Sequence, residues 1–154
     1  MHFVDAKSIL SAKNGMNIYR GCTHGCIYCD SRSDCYNMRH DFEDVEVKRN
    51  APELLEKALA SKRRLCMIGT GAMSDPYMHC EEKLRLTRRC LEVINRLGFG
   101  VTVLTKSDMI LRDADLLCSI NSKAKAVVQM TLTTYDEDLC RILEPVSYTH
   151  LRAH

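Results

Sequence analysis

The stretch that decides the fold is residues 20–30, RGCTHGCIYCD, in which Cys22, Cys26 and Cys29 share one short loop. An iron–sulfur cube has four irons, so three thiolates on one loop can hold three of them and leave the fourth open to another ligand. An open iron is a position where a second molecule can bind and react. The loop therefore predicts an iron–sulfur centre with one reactive position.

Zinc is the competing metal for these thiols. A structural zinc site usually has two pairs of ligands, and no second Cys or His pair follows in this sequence. His24 lies within the same loop and would be a strained fourth ligand. Gly21 and Gly25 favour the larger group, because glycine permits left-handed turns close to a bulky cluster. We therefore prefer a cluster and keep zinc as the alternative hypothesis.

The composition is that of one cytoplasmic domain. Of 154 residues 45% are hydrophobic, and 22 Lys and Arg face 20 Asp and Glu, so charge predicts neither a nucleic-acid nor a membrane surface. No apolar run approaches the roughly 20 residues of a membrane helix, and residues 1–11 lack the pattern of a signal peptide. Nine cysteines kept reduced then favour metal or redox chemistry.

The histidines outside the cysteine loop give no such signal. We assign no chemistry to His2, His40 and His79, because their spacing in the sequence suggests no partner residue.

Strand and helix patterns alternate along the chain. Compact apolar runs and helical spacing of apolar residues predict strands over 15–20, 65–69, 101–105 and 126–132, and helices over 51–63, 81–97, 109–120 and 136–143. Such alternation predicts an α/β fold with a parallel sheet covered by helices. Ligands of such folds bind at the carboxyl ends of the strands, where the cysteine loop also lies.

The spacing Cys22-x-x-x-Cys26-x-aromatic-Cys29 is typical of radical SAM enzymes. The rest of the chain narrows the resemblance, because residues 21–36, 69–77, 104–117 and 143–145 resemble spore photoproduct lyase-like radical SAM proteins, a family related to DNA repair. The resemblance implies a partial (β/α) barrel, a 4Fe-4S cluster on the three cysteines, and S-adenosylmethionine chelated to the fourth iron. It also implies reductive cleavage of that molecule to a 5′-deoxyadenosyl radical, which takes a hydrogen atom from a substrate.

The same resemblance assigns cofactor contacts beyond the cysteines. Tyr28 is expected to lie against the adenine, Ser74 and Asp75 to accept from the amino group, Lys106 to meet the carboxylate, and Thr131 to lie near the ribose. Each has a plainer interpretation: Ser-Asp-Pro is a turn signal, a lysine is usually solvated, and Thr favours strands. The electron donor is expected to be a flavodoxin or a ferredoxin.

The element count predicts that residues 1–145 are the N-terminal part of a radical SAM core, truncated after about four βα units. Residues 146–154 break the pattern and resemble a translated sequencing adapter, so we exclude them from the fold.

The substrate stays open. A DNA-lesion lyase is one alternative, but the family's hydrogen-donating cysteine has no equivalent in residues 69–77, and Cys66 and Cys80 only flank that segment. A metal-binding or redox-sensing module without enzyme activity is another alternative.

Overall fold

The computed structural model describes residues 1–146. Its strands are β1 (His2–Val4), β2 (Tyr19–Arg20), β3 (Glu46–Lys48), β4 (Met67–Thr70), β5 (Gly100–Thr105) and β6 (Ala126–Met130). Its α-helices are α1 (Ala51–Ala60), α2 (Glu81–Leu84), α3 (Leu86–Leu97), α4 (Ala114–Lys123) and α5 (Glu137–Leu143). Short 3₁₀ turns cover Asp30–Arg32, Asp34–Tyr36 and Asp108–Asp113.

A parallel sheet of order β4-β5-β6 forms the centre of the fold. The segment before β2 runs alongside β4: the amide of Met16 donates to the carbonyl of Gly69 at 2.7 Å, and the amide of Gly69 donates to the carbonyl of Asn14 at 3.1 Å. The predicted order of four parallel segments is therefore present, with the first reduced to a bridge. The predicted α/β class with a parallel sheet is confirmed, and the partial barrel stays a prediction.

The central strand β5 is the most buried part of this sheet. Val101 and Val103, which lie on one face of β5, are fully buried, and Thr102 and Leu104 on the opposite face are half-buried. Helices α1 and α3 pack together on this core through Leu55, Leu91 and Ile94, which are also fully buried. The sheet is thereby fixed from one side, and its strand ends are held in register for the loops that follow them.

A second, smaller sheet of order β1-β3-β2 was not predicted. Strand β1 runs parallel to β3 and pairs His2 with Glu46, and β2 runs antiparallel to β3 and pairs Arg20 with Glu46. These strands have two or three residues each, which is too short for an alternating pattern to be visible in the sequence. The predicted strand over 15–20 is accordingly wrong in part, because only its last two residues form β2.

The predicted helix over 81–97 is broken at Arg85, which has left-handed backbone angles (φ 51°) and separates α2 from α3. The fully buried carboxylate of Glu81 accepts a hydrogen bond from the amide of Thr87 at 2.7 Å, in the first turn of α3. An acceptor at this position satisfies one of the open amides of a helix start. The break thus allows Glu81 to cap the helix that follows.

Other predicted boundaries shift at their ends. The helix predicted over 109–120 begins as the 3₁₀ turn Asp108–Asp113 and becomes α-helical only at Ala114. The hydroxyl of Ser107 accepts from the amide of Met109 at 3.3 Å and starts this tighter turn. The helix predicted over 51–63 ends at Ala60, and the strand predicted over 126–132 ends at Met130.

Gly71 provides a test of how the strand ends are arranged. Its φ is 100°, and a Cβ there would lie 1.8 Å from the carbonyl oxygen of Leu104, in the backbone of β5. We expect Gly71→Ala to lower the free energy of unfolding by at least about 2 kcal/mol, because neither the angle nor the space suits a side chain. Urea unfolding followed by circular dichroism measures this.

The matched control is Gly69→Ala, since a Cβ at Gly69 meets no atom within 4 Å. We expect this change to shift the free energy of unfolding by less than about 1 kcal/mol. Equal destabilisation by both substitutions would show that the close approach of Gly71 to β5 is not what matters.

Candidate active site

A cavity of about 210 Å³ lies at the carboxyl ends of β4, β5 and β6, beside the cysteine loop. This is the end of a parallel sheet at which ligands bind. All eight of the side chains predicted to contact a cluster or S-adenosylmethionine line this cavity: Cys22, Tyr28, Cys26, Cys29, Ser74, Asp75, Lys106 and Thr131. The structure therefore brings together residues separated by more than 100 positions in the chain, while their individual roles stay predictions.

The cysteine loop follows β2 directly, and its glycines have the predicted geometry. Gly21 has a φ of 91° and Gly25 a φ of 72°, both in the left-handed region. A Cβ at Gly21 would lie 2.3 Å from the carbonyl oxygen of Phe42, and that same carbonyl accepts from the amide of Cys22 at 3.0 Å. The loop is thus held against residue 42 by a contact that only glycine permits.

The spacing of the three thiols bears on the zinc hypothesis. Around one tetrahedral zinc ion, thiolate sulfurs bound at about 2.3 Å lie about 3.8 Å from one another. Within residues 1–146, the sulfurs of Cys22, Cys26 and Cys29 do not form a group that lies within 4.8 Å of one another. The thiols are therefore not preassembled around a single ion, and the cluster that they are predicted to bind stays a prediction.

Two of the three thiols are buried. Burial raises the pKa of Cys22 to about 11, and burial also raises the pKa of Cys26, although the positive charge of Lys106 partly opposes this. Thiolates are the form that binds metal, so any metal or cluster that these two thiols bind would have to release their protons against the effect of burial.

Ser74 and Asp75 line the cavity, but their side chains are engaged inside the protein. The hydroxyl of Ser74 donates to the carbonyl of Tyr19 at 2.7 Å. Asp75 accepts from the hydroxyl of Thr105 at 2.7 Å and from the amide of Lys106 at 2.8 Å. These contacts hold the loop after β4 in place. The hydroxyl oxygen of Ser74 and the carboxylate of Asp75 keep lone pairs that can accept, so their predicted contact with an ammonium group stays a prediction.

The state of Asp75 follows from these contacts. Burial alone would raise the pKa of Asp75, but the interaction with His24 and the hydrogen bonds from Thr105 and Lys106 hold it below its ordinary value. The carboxylate is therefore charged at neutral pH.

Lys106 lies in a polar cluster that the sequence did not reveal. Its ammonium donates to the hydroxyl of Tyr28 at 2.6 Å and forms an ion pair with the buried carboxylate of Glu144. Thr133 joins the cluster, 2.8 Å from the Tyr28 hydroxyl. Burial alone would lower the pKa of Lys106, but the bonds to Glu144 and Tyr28 raise it above its ordinary value. Lys106 is thus a fixed cation at the rim of the cavity.

His24, which the sequence suggested only as a strained fourth ligand for zinc, also lies at the cavity. It is buried and lines the cavity beside Cys22. Its Nε2 lies 3.3 Å from a carboxylate oxygen of Asp75, without hydrogen-bond geometry, and neither ring nitrogen makes a hydrogen bond within residues 1–146. Buried polar atoms in proteins normally have partners. A polar group bound in the cavity would supply one.

A parallel sheet packed against helices, with a cysteine-rich loop and a cavity at its strand ends, is the architecture of an α/β domain that binds a cofactor. The family model described as the Radical SAM superfamily matches residues 16–152, so this chain belongs to the Radical SAM superfamily. Membership implies an iron–sulfur cluster and S-adenosylmethionine in general. It does not specify the reaction or the substrate.

The relatives found in curated collections are all uncharacterised proteins. One from Methanocaldococcus jannaschii is 33% identical over 146 residues, covering 94% of this chain and 53% of the relative. One from Mycobacterium tuberculosis is 29% identical and one from Acidianus two-tailed virus 25% identical, each covering 84% of this chain but 40% and 45% of the relative. The chain thus spans about half the length of the relatives it matches.

Two further findings bear on the predictions. No solved structure gives a significant match to the chain. Among residues 1–146, no helix is long and apolar enough to cross a membrane. No relative is named as a spore photoproduct lyase, so that closer resemblance stays a prediction.

The burial of Cys22 yields a prediction for the cluster-free protein. At pH 8 we expect iodoacetamide to modify Cys22 at least about tenfold more slowly than Cys29, because burial limits access and the raised pKa leaves little thiolate. Mass spectrometry of timed samples measures both rates. In concentrated urea the two rates should converge; equal rates in the folded protein would contradict the burial of Cys22.

Proposed function

We propose that this chain carries the cofactor half of a radical SAM active site. In this proposal Cys22, Cys26 and Cys29 bind a 4Fe-4S cluster, and S-adenosylmethionine binds in the adjoining cavity. The observation that carries the proposal is that the three thiols and the fixed cation of Lys106 line one cavity at the strand ends. When bound, the cluster and S-adenosylmethionine supply a one-electron cleavage that yields a radical able to take a hydrogen atom from a substrate.

The residues of this chain have three tasks in that chemistry. The cysteine loop binds the cluster and leaves one iron without a protein thiolate. Lys106 offers a positive charge to the carboxylate of S-adenosylmethionine, and Tyr28, whose hydroxyl it contacts, offers an aromatic face for the adenine. Thr131 lies at the same rim, just beyond β6, and is proposed to contact the ribose region.

The amino group of S-adenosylmethionine is assigned to the loop after β4, where Ser74 and Asp75 line the cavity. The Ser74 hydroxyl donates to the carbonyl of Tyr19, so its oxygen can still accept a hydrogen bond. The charged carboxylate of Asp75 accepts three hydrogen bonds inside the protein and keeps acceptor capacity for an ammonium group. In this proposal Asp75 both holds the loop in position and offers its charge to the amino group.

The substrate half of the site is proposed to come from further strands of a longer protein. In the described structure β6 is an edge strand, and its apolar residues Val128 and Met130 are 42% and 44% exposed. Strands of parallel sheets are normally covered on both faces. Additional strands and helices beside β6 would cover this surface and complete the binding site for a substrate.

The two alternative functions have less support. A DNA-lesion lyase of the resembling type would need a hydrogen-donating cysteine, and the cysteines that line the cavity among residues 1–146 are the three of the cluster loop. A module that binds metal without S-adenosylmethionine gives no role to the cavity beside the thiols. The electron donor is proposed to be a flavodoxin or a ferredoxin.

Replacing the proposed cluster ligands tests the function directly. We expect Cys22→Ala, Cys26→Ala and Cys29→Ala each to lose the cluster after anaerobic reconstitution, because no spare thiol lies on the loop. Iron and sulfide analysis, together with 5′-deoxyadenosine formed after reduction by dithionite, measures the result. Cys35→Ala is the matched control, since Cys35 is exposed and does not line the cavity. Full iron content in any of the three loop variants would remove that residue from the cluster.

Replacing Lys106 tests the cofactor contact separately from the cluster. We expect Lys106→Ala to weaken S-adenosylmethionine binding at least about tenfold at unchanged iron content, because a charge-assisted contact is lost. Calorimetry measures the affinity, and Lys57→Ala on the exposed face of α1 is the control. Since Lys106→Ala leaves Glu144 buried without its cation, Lys106→Met/Glu144→Gln should bind equally weakly while remaining folded. Unchanged affinity in that double variant would exclude Lys106.

A further inference from the structure

Three potential metal ligands meet on the small sheet, outside the cysteine cavity. One ligand atom from each of His2, His40 and Glu46 lies within 4.8 Å of those of the other two. His2 and Glu46 are directly paired on the parallel strands β1 and β3, so their side chains emerge on the same face of the sheet. His40 reaches them from the segment that precedes β3. All three side chains are half-buried.

Hydrogen bonds orient both imidazole rings. Nδ1 of His2 lies 3.0 Å from a carboxylate oxygen of Asp44, which also pairs with the Met1 ammonium, and Nδ1 of His40 lies 3.0 Å from the carbonyl oxygen of Asp41. A carboxylate and a carbonyl only accept, so Nδ1 carries the proton in each neutral ring. The lone pair is then on Nε2 in both. This is the arrangement that orients metal-binding histidines in proteins.

We propose that His2, His40 and Glu46 bind a divalent transition-metal ion of the zinc class. Two imidazoles and one carboxylate form a donor set that zinc and related ions use with a further position open to water. The rings are already close, with centroids 4.9 Å apart and planes at 88°. The site is independent of the cysteine loop in its ligands and in the chemistry of its donors.

The charges around the site leave Glu46 available. Arg20 is paired with Glu46 in the strand register, but its guanidinium donates to the carbonyls of Tyr36 and Asn37 at 2.6 and 3.1 Å. Lys48, two residues further along β3, lies on the same face of the sheet as Glu46 and adds a positive charge near that carboxylate.

Metal binding here would fix the segment of residues 37–45 to the sheet. That segment carries Phe42, whose carbonyl accepts the amide hydrogen of Cys22 at 3.0 Å. A ligand that binds only the folded state raises thermal stability by mass action. The metal would therefore stabilise the chain and, through Phe42, the start of the cysteine loop.

The test uses the full chain, without an affinity tag, in a background of Cys22→Ser, Cys26→Ser and Cys29→Ser so that the loop cannot bind metal. We expect calorimetry to show one equivalent of Zn²⁺ bound, and Co²⁺ to give an absorption spectrum without thiolate charge-transfer bands. In that background His2→Gln, His40→Gln or Glu46→Gln should each weaken Zn²⁺ binding at least about tenfold, and Asp44→Asn should weaken it by about 10-fold or more.

The control is His79→Gln, the same chemical change at an exposed histidine remote from the three ligands in sequence. It should bind Zn²⁺ as the background protein does, and Zn²⁺ should raise the melting temperature of both. Absence of a bound equivalent, binding that the three ligand variants leave unchanged, or thiolate bands in the Co²⁺ spectrum would each overturn the proposal. None of these outcomes bears on cluster formation, so the two proposals stand or fall separately.

Discussion

The carboxylate of Asp75 accepts hydrogen bonds from the hydroxyl of Thr105 and from the amides of Tyr77 and Lys106, at 2.7 to 2.8 Å. It also lies 3.3 Å from Nε2 of His24. A buried charge is tolerable only when it is paired and hydrogen-bonded, so these four partners must stay in place together. The carboxylate thereby joins the cysteine loop, the loop after β4 and the end of β5. It contributes this stability above its ordinary pKa and loses it as the pH falls through its lowered folded value.

This constraint fixes the cavity wall that a ligand would meet. The hydrogen bonds of Asp75 hold that wall in position. Lys106 faces the same cavity, but its charge is already shared with Glu144. A carboxylate that binds at Lys106 must therefore displace Glu144 or share the cation with it. Since Glu144 is buried and also interacts with Tyr28 and Thr133, sharing is the less costly of the two arrangements.

The sequence predicted what depends on local patterns. The parallel strands β4, β5 and β6 were predicted from apolar runs, and the cysteine loop from its spacing and glycines. The break at Arg85 was missed, because it depends on Glu81 capping a helix from outside that helix. The cluster around Lys106 was also missed, since Glu144 is 38 positions away and nothing local marks it as a partner. Sequence patterns of short period identify individual strands and helices, whereas contacts between residues far apart in the chain can be seen only in the folded structure.

The small sheet shows the same limit of prediction from sequence, and its neighbouring segment also contacts the cysteine loop. His2 and His40 have no spacing that suggests a shared ligand, and only the register of β1 on β3 brings them to Glu46. Between His40 and β3 the chain passes Phe42, whose carbonyl holds the amide of Cys22 and leaves no room for a side chain at Gly21. The position of this segment therefore sets the position of Cys22, the first of the proposed cluster ligands. Any ligand that fixes residues 37–45 would reduce the conformational freedom that the cysteine loop must lose when a cluster forms.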